Sequence, residues 1–370
     1  MIPVASPIYD GNEKKYVLEC LESGWLSGEG PFVARFESAF SKWLGVASAT
    51  AVCNGSVALD LAFGALNLPP GSEVILPSFT IISCAAAIVR AGLRPVCVDC
   101  DPRTYNMTVE GVEGALTSKT SAVLLVHTYG LPAEADAIVS LARQRNLRVV
   151  EDCAEILGQR YRGKLCGTFG DVATFSFYAN KHISTGEGGM VTTADPEIGV
   201  RLHGLKSFSF GKGASRFHHE ALGWNFRLGN MQAAVGLAQL ERLDDHLALK
   251  RSLGMSYNAL FKGYAKLQLP LHQAESATNI YWVYPVLLND SVGCDAAHVI
   301  ARCETEGVIC RPFFHGMHEQ PVFRRQGLFH NVVLPVTERL SRRGFYLPMG
   351  PKISSEEQRR VVDVVCAVLG

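Results

Sequence analysis

The sequence has no excess of either charge: Lys plus Arg is 35 and Asp plus Glu is 35 in 370 residues. A balanced chain offers no electrostatic footprint for nucleic acid or for an anionic membrane, which argues against both as partners. It also lacks a run long enough to cross a bilayer. The longest, VILPSFTIISCAAAIV, carries a proline and falls short of the roughly 18 apolar residues required. The opening MIPVASPIYDGNEK has neither the basic start nor the apolar centre of a secretory signal. Paired cysteine spacing is missing too. Eleven cysteines are scattered, mostly inside apolar runs, as at Cys20, Cys53, Cys84, Cys153, Cys166 and Cys366. The one tight pair, Cys97 and Cys100, has no second pair to complete a zinc site. They read as buried reduced thiols, so the expectation is a soluble cytoplasmic protein without a metal centre. Internal repeats, low-complexity segments and long charge runs are absent as well.

What is present is a large apolar share. Hydrophobic residues make up 48% and charged ones 19%, enough to bury an interior the size of two packed domains. For the first two thirds of the chain, short β-branched or apolar runs (EVILP, RPVCVD, AVLLVH, LRVVED, DVATFSF) alternate with helical patterns such as VALDLAFGALNL and AEADAIVSLARQRN. That rhythm predicts an α/β fold with a mostly parallel sheet covered by helices on both faces. A long charged amphipathic helix is expected over Gln239 to Leu253, then a strand in YWVYPVLL and a terminal helix from Ser355 to Leu369. The domains expected are therefore residues 1–245, the major one, and 246–370, a smaller α+β unit.

Ligands of open α/β sheets sit at the carboxyl ends of the strands. Three such ends carry unusual residues. Asn54-Gly55-Ser56 opens a helix, where free N–H groups, a hydroxyl and the positive end of the dipole can cradle a phosphate or form an ordinary cap. Asp152, after LRVVE, can hold a cationic ring nitrogen or cap a turn. Lys181 stands between an aromatic strand and the turn at Gly186, Gly188 and Gly189. Most lysines are solvated surface charges, but apolar flanks depress the pKa of an amine and free it for attack on a carbonyl. Ser176, five residues earlier, can join Ser56 on a phosphate. Together these features describe pyridoxal phosphate, which needs a lysine, a carboxylate on its ring nitrogen and an anion site.

Beyond these residues, the chain resembles the DegT/DnrJ/EryC1/StrS family of sugar aminotransferases, of the aspartate-aminotransferase fold. The resemblance runs through GNEKKYVLECLESGWLSGEGPFVARFE, CNGSVALDLAFGAL, GSEVILPSFT, RPVCVDCDPRTYN, the NKHISTGEGG turn, GWNFRLGNMQAAVGLAQLERLDDHL and RPFFHGMHEQP. It implies that residues 1–245 bind the cofactor, with Lys181 joined to its aldehyde and Asp152 on its ring nitrogen. Ser176, Gly55 and Ser56 would contact the phosphate. Asn225 matches an asparagine that reaches the phosphate in the neighbouring subunit, which implies a homodimer with shared sites. Glu155 and His318 match positions near cofactor or sugar. One position departs: Ile81 stands where the family usually places an aromatic that stacks on the ring.

The resemblance is strongest to the perosamine-forming branch. It implies a nucleotide-linked 4-keto-6-deoxyhexose, the GDP-mannose derivative first, aminated at C4 with glutamate as donor. Arg216, Arg311 and His318, in basic stretches with aromatics nearby, are candidates for the substrate pyrophosphate. Relatives that dehydrate a keto sugar carry histidine in place of Lys181, and His182 is one position off. Other nucleotide-sugar aminations, a dehydratase and a non-catalytic cofactor-binding regulator are the competing readings.

Overall fold

The computed structural model describes residues 1–211 and 213–370. Helices α1 (Glu13–Ser23) and α2 (Pro31–Leu44) lead into an alternating run. It contains β1 (Ser48–Val52), α3 (Gly55–Leu66), β2 (Glu73–Pro77), α4 (Ile82–Arg90), β3 (Arg94–Val98) and α5 (Val109–Gly114). It continues with β4 (Thr120–Val126), α6 (Ala135–Gln144), β5 (Arg148–Asp152), the short β6 (Arg160–Tyr161) and β7 (Lys164–Leu165), β8 (Val172–Ser176) and β9 (Gly189–Thr193). A seven-stranded sheet forms in the order β1-β9-β8-β5-β4-β2-β3. The neighbours from β3 to β8 pair in parallel, and β9 runs against both β1 and β8. The central strands are buried residue after residue, as β4 and β8 show, because helices cover both faces. The expected α/β fold with a mostly parallel sheet is what forms.

The chain continues through α7 (Pro196–Leu205), α8 (Asn230–Leu240) and α9 (Leu243–Leu260). The amphipathic helix expected over Gln239–Leu253 is corrected here: its start belongs to α8, and α9 begins afresh after a break at Arg242 and runs on to Leu260. No glycine or proline marks this break, so periodicity could not find it. Tertiary contacts hold it: Asn12 Nδ2 and Tyr16 Oη donate to the Glu241 carboxylate at 2.7 and 2.8 Å, and Arg242 faces Asp10 at 3.5 Å.

A second, antiparallel sheet follows, in the order β10-β11-β13-β12, from β10 (Leu267–Gln268), β11 (Tyr284–Leu288), β12 (Arg311–Pro312) and β13 (Gly344–Leu347). The terminal helix spans Ser355–Leu369 and starts at a capping box between Ser354 and Glu357. The first residues pair with this unit, since Ile2 N–H donates to the Gly307 carbonyl and Met349 N–H to that of Val4. An aromatic seam joins the two sheets, with Phe79, Tyr105 and Tyr129 meeting Trp282 and Phe313. No helix among the described residues is long and apolar enough to cross a membrane.

On α9, Lys250 is 7% exposed and its amine donates to the Met349 carbonyl at 2.7 Å. Burial lowers this amine to about 7. Between that value and its ordinary pKa near roughly 10.4, the unfolded chain holds a proton that the native one has lost, so this group adds stability as pH rises. Denaturation midpoints of the parent and of Lys250→Met should reflect this. The parent should gain relative to the variant from about pH 7 to about pH 10, and a pH-independent difference would contradict the reading.

Candidate active site

Successive side chains on a strand point to opposite faces, and at the end of β5 this separates Glu151 from Asp152. Glu151 turns to the rear. It accepts hydrogen bonds from the N–H groups of Gly167, Phe169 and Gly170 at 2.6, 2.8 and 3.1 Å. His127 Nδ1 accepts from Ala133 N–H, so Nε2 carries the ring proton and donates it to Glu151 at 3.1 Å. Cys153 lies 3.6 Å from the same carboxylate. His127, Glu151 and Cys153 are the only metal-ligand grouping among the described residues, and protein donors already satisfy its carboxylate.

Asp152 turns the other way, into a cleft of about 700 Å³ at the carboxyl ends of the strands. Its Oδ1 accepts from Ala154 N–H at 2.9 Å and its Oδ2 from the Cys84 thiol at 3.4 Å. Burial raises its pKa, against the pull of those donors and of the nearby Lys181. Lys181 shares the cleft, on the turn between β8 and β9. Burial lowers its amine, and the charges of Glu155 and Asp152 oppose that shift. Glu155 also lines the cleft, accepts from Tyr129 N–H at 3.0 Å, and is pushed up to about 7 by burial against the attraction of Lys181. A buried amine thus faces two carboxyls, and burial raises the pKa of both.

The anion end of the cleft is the start of α3. Asn54 caps it by accepting from Val57 N–H at 3.0 Å, and the next residues, Gly55 and Ser56, line the cleft. First-turn N–H groups have no partner within a helix and are free for an anion. Ser176, at the end of β8, lines the cleft beside them. Glycine is required for that approach: a Cβ on Gly55 would stand 2.8 Å from Ser176 Cβ, and one on Gly189 would stand 2.6 Å from the Asn54 carbonyl oxygen. Helix amides, two hydroxyls, a buried carboxylate and a buried amine on one wall fit a phosphate-bearing cationic ring with an aldehyde.

The structure therefore brings Gly55, Ser56, Asp152, Glu155, Ser176 and Lys181 together. Ile81 also lines the cleft and is 42% exposed. The remaining candidates lie elsewhere. Asn225 is exposed and pairs with Ser207, outside the cleft of its own chain. Arg311 is exposed on β12, and Arg216 is exposed beside Glu29 at 3.5 Å. His318 is not brought to the cleft: fully buried, it hydrogen-bonds Ser78 Oγ at 2.7 Å through Nδ1 and Glu338 at 3.3 Å through Nε2. His182 faces a small chamber behind the lysine turn, walled also by His246 and Lys250, and burial holds its ring down to about 3.

Sequence reading missed Trp282, Phe314 and Tyr346, which close the cleft from the second unit, and Thr80, which lies 3.2 Å from Cys84. Nothing in their local patterns marks them, because each reads as ordinary strand or loop.

A profile of the DegT/DnrJ/EryC1/StrS aminotransferase family matches residues 7–366. GDP-perosamine synthase of Caulobacter vibrioides is 40% identical, covering 100% of this chain and 98% of its own length. An aminotransferase, TlmJ, from Streptoalloteichus hindustanus superposes with a TM-score of 0.92 at 31% identity, covering 100% of this chain and 99% of its own. A mutant of GDP-4-keto-6-deoxymannose-3-dehydratase with bound GDP-perosamine gives a TM-score of 0.90 at 26% identity, over 99% and 100% of the two chains.

Gly55→Ala tests the anion end. Alanine favours a helix by up to about 1 kcal/mol, whereas forcing a methyl against Ser176 costs about 1–3 kcal/mol. Denaturation should show net destabilisation, and spectroscopic titration should show weaker pyridoxal phosphate binding. A more stable variant with unchanged affinity would mean that Ser176 moves aside freely.

Proposed function

We infer that this chain, which belongs to the DegT/DnrJ/EryC1/StrS aminotransferase family, is a pyridoxal phosphate-dependent nucleotide-sugar aminotransferase whose substrate is a 4-keto-6-deoxyhexose. The reading favoured is amination of GDP-4-keto-6-deoxymannose at C4, with glutamate as donor, to give GDP-perosamine. The observation that carries it is one cleft lined by Lys181, Asp152, Ser176 and the start of α3, in a chain that resembles a perosamine synthase from end to end.

Bound pyridoxal phosphate supplies an electron sink and carries the amino group between donor and acceptor. The residues of this chain supply the rest. Gly55, Ser56 and Ser176 bind the phosphate and so fix the ring in the cleft. Asp152, held by Ala154 N–H and the Cys84 thiol, presents a carboxylate that keeps a ring nitrogen charged. The Lys181 amine is placed to relay a proton in each half-reaction, away from the α-carbon of the donor in one and onto C4 of the sugar in the other, and it ends each free. Glu155, pushed up to about 7 by burial, lies beside that amine and its charge attracts the ammonium form. Trp282, Phe314 and Tyr346 give the cleft an aromatic wall.

Dehydration is disfavoured on the same grounds. Lys181 stands where dehydrating relatives have histidine, and His182 lines the rear chamber, not the cleft. The dimer is part of the proposal. Asn225 is exposed away from its own cleft, and apolar Ile81, Ile82, Tyr178 and Leu222 are exposed near the cleft mouth or in sequence beside Asn225, as a face covered by a second copy would be. Eleven free cysteines suit a reducing cytoplasm.

Borohydride should fix the cofactor to the peptide that contains Lys181. Asp152→Asn should lower turnover by several powers of ten, since losing a buried charged partner costs about 3–5 kcal/mol. A loss below about tenfold would leave Asp152 as a turn cap. Offered GDP-, dTDP- and UDP-linked 4-keto-6-deoxy sugars with glutamate, the enzyme should aminate the GDP sugar at C4. Amination at C3 or preference for another nucleotide would remove the perosamine assignment. Lys181→Ala and Asn225→Ala variants, each inactive, should regain activity when mixed. Failure of every hybrid would refute the shared site.

A further inference from the structure

The amine of Lys181 does not stand free in the cleft. It lies 3.8 Å from the ring centroid of Trp282, well inside the range of a cation–π contact. The same indole donates its N–H to the carbonyl of Asn180, the residue before the lysine, at 3.0 Å. One side chain thus grips both the amine and the backbone of the turn that bears it. Trp282 is set for this by its own packing. It is 4% exposed and packs on Tyr129 and Tyr346 at centroid distances of 5.8 and 6.4 Å. It also comes from the second unit, just before β11, whereas the lysine turn belongs to the large sheet.

We propose that Trp282 is a positioning residue that holds the free amine of Lys181 on its indole face and anchors the lysine turn through its N–H. This rests on the reading of Lys181 as the reacting amine. A lysine side chain has many rotamers, and a rigid aromatic face removes most of them at the moment the amine must meet a substrate carbon. The ring quadrupole also favours the ammonium form over the neutral amine, against the burial that disfavours it. The two contacts act separately, on the charge through the ring face and on the backbone through the N–H. Substitution can therefore split them.

The test uses the full-length chain before cofactor is added, treated with an amine-acylating reagent over a range of pH. The yield at Lys181 is read by peptide mass spectrometry. Trp282→Leu removes both contacts: the labelling midpoint should move to lower pH, with labelling at neutral pH several-fold faster. Trp282→Phe keeps an aromatic face and loses the N–H. Its midpoint should stay near the parent value, while amide hydrogen exchange at Lys181 and His182 quickens. With cofactor and substrate present, the Leu variant should lower kcat more than it raises KM. An unchanged midpoint in the Leu variant overturns the proposal, as does a Phe variant whose midpoint falls with it. If the Leu variant does not fold, the Phe variant alone decides: faster exchange at a held midpoint supports the proposal, and unchanged exchange overturns it. Borohydride capture of cofactor at another residue would instead refute the role of Lys181, a failure that the labelling profile cannot mimic.

Discussion

A buried amine beside two buried carboxyls is the constraint on which this structure depends. Burial drives Lys181 toward its neutral form and Asp152 and Glu155 toward theirs, while the amine and each carboxyl pull one another back toward charge and Asp152 adds to the rise at Glu155. Such a set is costly unless each member is held in place. Asp152 is held by Ala154 N–H and the Cys84 thiol, Glu155 by Tyr129 N–H, and Lys181 by the face of Trp282. A cationic ring nitrogen at Asp152 would complete the balance, which gives the site a physical reason to take up its cofactor.

The arrangement of sheets follows from the need to surround those groups. Parallel strands end at one edge, so Asp152 on β5 and Ser176 on β8 arrive together although 24 residues separate them in sequence. The antiparallel β9 then folds the lysine turn back over that edge and presses glycine against the start of α3. The second unit closes the front. Its aromatic seam with Phe79, Tyr105 and Tyr129 places Trp282 in the wall of the cleft and Tyr346 at its side. The two units are therefore coupled through the site itself, and displacement of one would be felt at the lysine.

How far the chain could be read depended on whether the signal was local. The strands EVILP and LRVVED and the helix after Asn54 were legible because burial and capping leave their marks within a few residues. The joint between α8 and α9 was not, since it is held by Asn12, Tyr16 and Asp10 of a distant segment. The same divide runs through the site. Lys181 announces itself by its glycine turn and Ser176. The burial of His318 between Ser78 and Glu338 leaves no trace in RPFFHGMHEQP, where it reads as an available imidazole.

The sequence by itself determined the α/β alternation, the cofactor chemistry and the family, because strand ends, glycine turns and a lysine in an apolar setting are properties of short stretches. The tertiary structure alone decided which residues share a wall. It set Glu151 behind the sheet and Asp152 in the cleft, gave the Cys84 thiol a carboxylate as partner, and kept Asn225 out of the cleft of its own chain. It also brought Trp282 onto Lys181 across about a hundred residues of sequence. The physical reason is that a contact between distant segments is fixed by packing of the whole core, and no short window of residues carries that information.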